Sequence, residues 1–247
     1  MTTSVATLAP ALPVHPHQPR GVLRLPFTIA PVSTREQLRD VLALRHAAYG
    51  RHGYTALLKQ SLLEPDDADL CGASTTFVAV SKATGQLLGT LRVQSSLDAP
   101  VHWPEGTPDD PCREGAYTYI DRFAAAAGDG EAELTASALI KAAYLWSLAR
   151  DSYFATALAR PALARMYRRL GGMTTRGDGR KVEMPDYHRQ PYLLLGTPLH
   201  EVRGRLQAEN PAYSAAFFDK VHPDIAVNAM SIPWRTVVRP ALELVHA

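Results

Sequence analysis

"TTFVAVSKATGQLLGTLRVQSS", residues 75–96, decides the fold of this chain. Two runs rich in Val, Leu, Thr and Phe flank "KATGQ", where Gly85 gives the backbone freedom a reversal needs, so the stretch predicts two antiparallel strands joined by a turn. Upstream, "GVLRLPFTIAPV" (21–32) predicts a strand interrupted by proline. Ser33 with Glu36 then predicts a capping box opening the helix "REQLRDVLALRHAAYG" (35–50), whose apolar stripe is Leu38, Val41, Leu42 and Leu44. Downstream, "PVHWPEGTPDDPCREG" (100–115) reads as a Pro/Gly-rich surface excursion before the strand "AYTYIDRFAAA" (116–126). A second helix, "EAELTASALIKAAYLWSLARD" (131–151), carries Leu134, Ala138, Lys141, Leu145 and Leu148 at helical spacing. "YFATALA" (153–159) predicts a strand, and "PALARMYRRL" (161–170) a helix with Pro161 in its first turn and Gly171 just past its end. The region 181–207 predicts a late strand pair, or a strand and a short helix.

Strands and helices in this order predict an α/β (α+β) domain, a sheet covered on its faces, over residues 21–209. Residues 1–20, rich in Pro, Ala and Thr, read as a disordered leader in which His15 and His17 are incidental, and residues 210–247 read as a Pro-interrupted appendage.

At 247 residues, 46% hydrophobic and 20% charged, the chain has the composition of a globular protein with a full core. A net charge of +2 is too balanced to argue for nucleic acid, and no reader motif is present. Cys71 and Cys112 stand far apart in unlike surroundings, which argues against a disulfide framework, a zinc site or a Cys/His nucleophile. With no signal peptide and no apolar run long enough to cross a bilayer, the expectation is a cytoplasmic protein.

Four segments carry a family resemblance: "LRHAAYGRHGY" (44–54), "TTFVAVSKATGQLLGTLRV" (75–93), "YIDRFAA" (119–125) and "ARPALARMYRRLGG" (159–172). In this order and spacing the sequence resembles the GNAT acyltransferase superfamily, in particular its N-acyl amino acid synthases, relatives of the acyl-homoserine-lactone autoinducer synthases. The resemblance implies a mixed, twisted sheet with flanking helices and a splayed pair of central strands, here "YTYIDRFAA" and "YFATALA". The pantetheine arm of an acyl thioester lies between such strands and is attacked there by an amine. The acyl-phosphopantetheine is then a co-substrate, and neither a resident cofactor nor a metal is expected.

The resemblance also assigns site residues. Tyr167 matches a tyrosine that stands near the thioester sulfur and hands a proton to the departing thiolate. On the helical pattern alone, Tyr167 reads first as an amphipathic core residue with its hydroxyl at the surface. "EPDDAD" (64–69) reproduces, with Glu64, Asp66 and Asp69, the acidic stretch of the autoinducer synthases; Arg45, Arg92 and Arg122 match their arginines, and Tyr54 and Tyr119 join the acceptor site. Carboxylates for an ammonium and guanidiniums for a carboxylate suit an amino acid acceptor. "EPDDAD" lacks the ligand spacing and central glycine of a calcium loop, and reads otherwise as a solvated acidic turn. Asp121 is a candidate base, with Glu64 a second carboxylate and His52 ranked behind; strict alternation sets Asp121 with Tyr119 and Phe123, opposite Arg122, unless the strand is bulged.

Between residues 150 and 189 nine basic residues stand against four acidic ones, an excess of five. Arg165, Arg168, Arg169 and Arg176 then suit a docking face for an acidic acyl carrier protein, and on the sequence alone read first as a solvated helix face. The glycine loop that cradles coenzyme A pyrophosphate in many GNAT enzymes is only partly reproduced: Gly128 and Gly130 are present, but Arg122 stands too far upstream, which favours a carrier-protein donor over acyl-CoA. Leu139, Tyr144 and Trp146 are candidate walls for an acyl tunnel and equally ordinary core. The expected activity is fatty acyl transfer to an amino acid or similar amine. The alternatives are an autoinducer synthase that consumes S-adenosylmethionine, put in doubt by Tyr119 where that family has glutamate, and a degenerate acyltransferase fold acting as a binding protein.

Overall fold

The computed structural model describes residues 21–51, 65–70, 72, 74–101, 103, 106–126, 131–184 and 190–227. The leader 1–20 and the site candidates His52, Tyr54 and Glu64, like Cys71, Gly128 and Gly130, lie outside the described residues. Among them, one sheet dominates. Its strands are β1 (Phe27–Pro31), β2 (Ser74–Ser81), β3 (Leu87–Ser95), β4 (Tyr117–Ala125), β5 (Phe154–Ala159), β6 (Thr174–Thr175), β7 (Lys181–Met184) and β8 (Gln190–Pro198), in the order β1-β2-β3-β4-β5-β8-β6, with β7 also on β8. The expected hairpin is β2–β3, with Gly85 at a φ of 70° in its turn.

Apart from isolated parallel bridges from Val22 to Val221 and from Ile29 to Ile225, β4 and β5 alone among the described strands pair in parallel. Their register runs from Tyr117↔Phe154 to Ile120↔Ala157 and stops there, while β4 continues along β3 to Ala125 and β5 continues along β8 to Ala159. The sheet therefore opens between its two central strands, as the resemblance implies.

One face of the sheet carries α3 (Ala132–Leu148) and α4 (Pro161–Gly171), backed by α5 (Val202–Glu209) and α6 (Pro211–Phe218). Leu91, Val93, Ile120, Ala155 and Ala157 from the strands meet Leu139, Ile140, Trp146, Tyr167, Leu206 and Phe217 there. Leu139 and Trp146 thus pack in the core, and Tyr144 lies edge-on to Phe217 and Phe218. The other face carries α1 (Arg35–Gly50), the single turn α2 (Asp67–Leu70) and the 100–115 excursion.

Local signals shift by a residue in several places. Thr34, not Ser33, caps α1: it is extended, accepts from the N–H of Gln37 at 3.0 Å, and Gln37 answers it. The next step of α1's buried stripe after Leu38, Val41 and Leu42 is Arg45, with Leu44 half-buried beside it, because the face pointing at the sheet here meets polar side chains. In α3 Leu134 is exposed, and the inward face is Thr135, Ala136, Leu139, Ile140, Ala143 and Trp146, a helix buried on nearly every side. Gly171 closes α4 as its last helical residue, and Gly172 takes the left-handed cap with a φ of 61°.

The excursion is not merely superficial. Cys112 is fully buried, its thiol near the Thr156 hydroxyl, and Asp110 accepts hydrogen bonds from the N–H of Cys112 and from Arg176 Nε. Residues 211–227, within the segment read as an appendage, pack on the domain: Phe217 enters the main core, and 221–226 lie beside β1 through bonds such as Ile29 N–H to Asp224 O.

Candidate active site

A polar row crosses three strands on the α1 face. Thr76 of β2 pairs with Arg92 of β3, which pairs with Asp121 of β4. In an ordinary strand the next inward residue would be Phe123. Instead β4 bulges, with two residues opposite Leu91 alone, and Arg122 takes a φ of 52°. This extra residue brings Arg122 onto the same face as Asp121 and turns Phe123 to the other side, where it meets Tyr167 edge-on at 6.5 Å. The alternation expected for the unbulged strand is thus corrected: Asp121 keeps company with Arg122, not Phe123.

Around this row sits a cluster of three arginines and three aspartates. Arg92 donates two bonds to Asp121, of 2.8 and 2.6 Å, and pairs with Asp66 and with Asp69 at 3.2 Å. Arg45 pairs with Asp69 at 3.0 Å and reaches Thr76, while Arg122 pairs with Asp66 at 2.9 Å. Gln94 donates to Asp121 at 3.2 Å. Asp66 and Asp69 come from the acidic stretch and its short helical turn, where the Asp69 N–H bonds back to Asp66.

The cluster is graded from inside to outside. The side chains of Arg45, Asp69 and Arg92 are only 4%, 2% and 4% exposed, whereas Asp66, Asp121 and Arg122 are 33%, 14% and 22% exposed. Burial opposes the charge on Asp66, but Arg92 and Arg122 outweigh it and hold the carboxyl well below the usual carboxylate range. Burial likewise opposes the charge on Arg92, and the carboxylates of Asp121, Asp69 and Asp66 raise its pKa nonetheless. The inner three residues are a sealed scaffold, and the outer three form a partly exposed, ion-paired rim.

Tyr167 belongs to α4, on the opposite face, and is 1% exposed. Burial pushes its pKa far up, with smaller contributions from Asp121 and from Tyr49 of α1. Tyr167 meets Phe123 edge-on, in the stretch of β4 beyond Ile120 where β5 no longer pairs with it. It is held as the neutral phenol, the proton-donating form, across the whole neutral range.

The remaining candidates are dispersed. Tyr119 is buried in an apolar cluster, 4.7 Å from the Trp103 ring. Arg165 and Arg168 are exposed on α4, Arg169 pairs with Glu133 at 2.8 Å, and Arg176 is turned to Asp110 at 3.0 Å. Burial pushes the Cys112 thiol up to about 12, which suits a packed side chain and not a nucleophile. Sequence reasoning missed Thr76, Gln94 and Tyr49; the first two were visible as polar positions alternating with Phe77, Leu91 and Val93.

A sheet parted between its parallel strands, with α3 and α4 on one face and α1 on the other, is the architecture of a GNAT-like acyltransferase. The sequence matches the family described as N-acyl amino acid synthase FeeM over residues 40–195, and the chain belongs to that family. No curated protein matches the sequence.

Solved structures share its fold. FeeM, an N-acyl amino acid synthase from uncultured soil microbes, is 14% identical, with a TM-score of 0.53 over 74% of this chain and 96% of its own. BjaI, a CoA-dependent acyl-homoserine lactone synthase solved with SAM and isopentyl-CoA, is 14% identical, with a TM-score of 0.55 over 80% of this chain and 94% of its own. TofI, solved in a ternary complex with an inhibitor and MTA, is 15% identical, with a TM-score of 0.54 over 76% of this chain and all of its own. Among the described residues no helix is long and apolar enough to cross a membrane.

Proposed function

We propose that this acyltransferase moves a fatty acyl group from the thioester of an acyl carrier protein to the amine of an amino acid, in the cytoplasm. The observation that carries this reading is the ion-paired rim of Asp66, Asp121 and Arg122 on one face of β4, whose bulge turns Phe123 to the other face to meet Tyr167 edge-on at 6.5 Å. A free amino acid brings one ammonium and one carboxylate, and a rim with both signs of charge receives both. The acceptor's ammonium binds at Asp121 and Asp66, and its carboxylate at Arg122.

Asp121 takes a proton from the ammonium, directly or through water. The freed amine attacks the thioester carbon, and backbone N–H groups where β4 and β5 have parted hold the resulting oxyanion. Collapse breaks the carbon–sulfur bond as the departing thiolate receives the Tyr167 proton, and the second proton of the attacking nitrogen, passed through water, restores the Tyr167 phenol and leaves the neutral amide. The strand geometry contributes by holding amine and thioester in line. Exposed Arg165 and Arg168, on the helix that carries Tyr167, favour an acidic carrier protein over coenzyme A as the donor.

The test is mass spectrometry of lipid extracts from bacteria expressing the protein or its Tyr167→Phe variant. N-acyl amino acids that appear with the native protein and fall sharply in the variant support the proposal. Acyl-homoserine lactones, formed at the expense of S-adenosylmethionine, would replace it with the autoinducer reading. Against that outcome stands Tyr119, which brings no carboxylate and packs on Trp103.

A further inference from the structure

The family match ends at residue 195, yet the helix carrying Tyr167 is fastened by residues beyond it. The α4 helix leaves carbonyls without intrahelical partners at its C-terminal end, as every helix does. The Gly172 N–H answers those of Arg168 and Tyr167, and the carbonyl of Leu170 is answered from elsewhere: the hydroxyl of Tyr213, on α6, donates to it at 2.9 Å. A phenol has one proton, so the 2.9 Å contact between Tyr213 and Ser137 of α3 runs the other way, with the serine donating. Ser137, Tyr213 and Leu170 therefore form a directed relay that joins α3, α6 and α4 at a single point, one helical turn from Tyr167.

The relay is itself held on both sides. The Tyr213 ring lies 5.8 Å from Phe217, and Lys141 of α3 donates to the carbonyls of Phe217 and, at 2.9 Å, Lys220 at the end of α6. Glu133 of α3 holds Arg169 of α4 at 2.8 Å. The last turn of α4 is thus positioned against α3 by α6, whereas its first turn follows directly from β5 through Pro161.

We propose that Tyr213 is a positioning residue for the acyl-transfer step: through the Leu170 carbonyl it sets where α4 presents the Tyr167 hydroxyl to the gap between β4 and β5. This rests on the catalytic reading of Tyr167. An acid displaced by a fraction of an ångström from the departing sulfur loses rate while donor binding persists.

Two measurements on the full chain test it. In the first, thiol release from a palmitoyl-loaded acyl carrier protein is followed in the presence of the twenty protein amino acids, for Tyr213→Phe, Tyr167→Phe and the double variant. The expected result is a kcat about tenfold lower in Tyr213→Phe, with the KM for the carrier protein nearly unchanged, and no further loss when Tyr213→Phe is added to Tyr167→Phe. In the second, tyrosine ring carbons are labelled with ¹³C and the Tyr167 resonance, assigned by its loss in Tyr167→Phe, is compared with and without Tyr213→Phe.

A moved Tyr167 resonance with a non-additive rate loss supports the proposal. An unmoved resonance, or losses that multiply independently, overturns it. A resonance that moves while Tyr167→Phe leaves the rate intact shows the coupling between helices to be real but overturns Tyr167 as the acid, and with it Tyr213 as a positioning residue for this step.

Discussion

Arg92 and Asp121 face each other as directly paired residues of β3 and β4, joined by two hydrogen bonds of 2.8 and 2.6 Å, and they mark where the sealed and open halves of the cluster meet. Their substitution is expected to separate stability from activity. Arg92→Met leaves Asp69 and Asp121 short of a counter-charge and is expected to cost about 3–5 kcal/mol. Asp121→Asn keeps the shape and a polar oxygen, so its expected signature is a fold close to native with turnover lower by about 100-fold. Urea unfolding set beside product formation reads both, and equal loss of stability in the two variants would make the cluster purely structural.

The bulge at Arg122 allows backbone and side chain to be tested apart. A φ of 52° is strained for arginine and free for glycine. Arg122→Gly is expected to hold or gain up to about 1 kcal/mol of stability from the relieved backbone, while the KM for the amino acid rises. A loss of stability without change in KM would show that Arg122 serves only to neutralise Asp66.

How far the sequence foretold this arrangement differs by element. The hairpin, the two central strands and the Pro161 helix were legible because turn residues and periodicity act locally. The bulge was not, since one extra residue in β4 becomes visible only against its partner strand, and it decides which of Asp121, Arg122 and Phe123 share a face. Arg45 was legible in principle: the period 38, 41, 42, 45 points it inward, but an arginine on a buried face is credible only once Asp69 is seen to meet it. The hold of Tyr213 on Leu170 joins residues 43 apart in sequence, and no local pattern announces it.

Cys112 and Gly196 make a tight pair under the excursion. A Cβ on Gly196 would lie 2.9 Å from the Cys112 Cβ, closer than carbon atoms pack. Gly196→Ala is therefore expected to destabilise the protein by about 1–3 kcal/mol. In a Cys71→Ser background, alkylation by iodoacetamide at pH 8 is expected to be slow in the native protein and fast after denaturation, because burial pushes the Cys112 thiol up to about 12. Rapid native alkylation would mean that the excursion opens readily.

Charge reversal on α4 probes the donor. Arg165→Glu with Arg168→Glu is expected to raise the KM for an acyl carrier protein several-fold at low salt, with the difference shrinking as salt screens the surface. The KM for an acyl-CoA donor and the unfolding midpoint are expected to change little. An identical shift for both donors would point to a disturbed helix and not to a docking face.

Lys141 gives a pH dependence that a single substitution isolates. It is 7% exposed, and burial pulls its pKa from 10.5 down to about 8. Between about pH 8 and 10.5 the unfolded chain therefore binds the proton that the folded Lys141 has released, so this lysine's contribution to stability rises with pH across that window and is flat below it. The full shift corresponds to about 3 kcal/mol. The two carbonyls that Lys141 caps at the end of α6 favour its charged form, so the measured rise is expected to fall below that value. Lys141→Met keeps the length of the side chain and removes the titration. Urea unfolding of both proteins from pH 7 to 10 isolates the lysine, because every other titrating group is common to the pair. A native protein that gains stability over the variant between pH 8 and 10 bears this out. Parallel curves would show that the carbonyl bonds fully offset the cost of burying the ammonium, so that α6 is fastened to α3 by a lysine that stays charged.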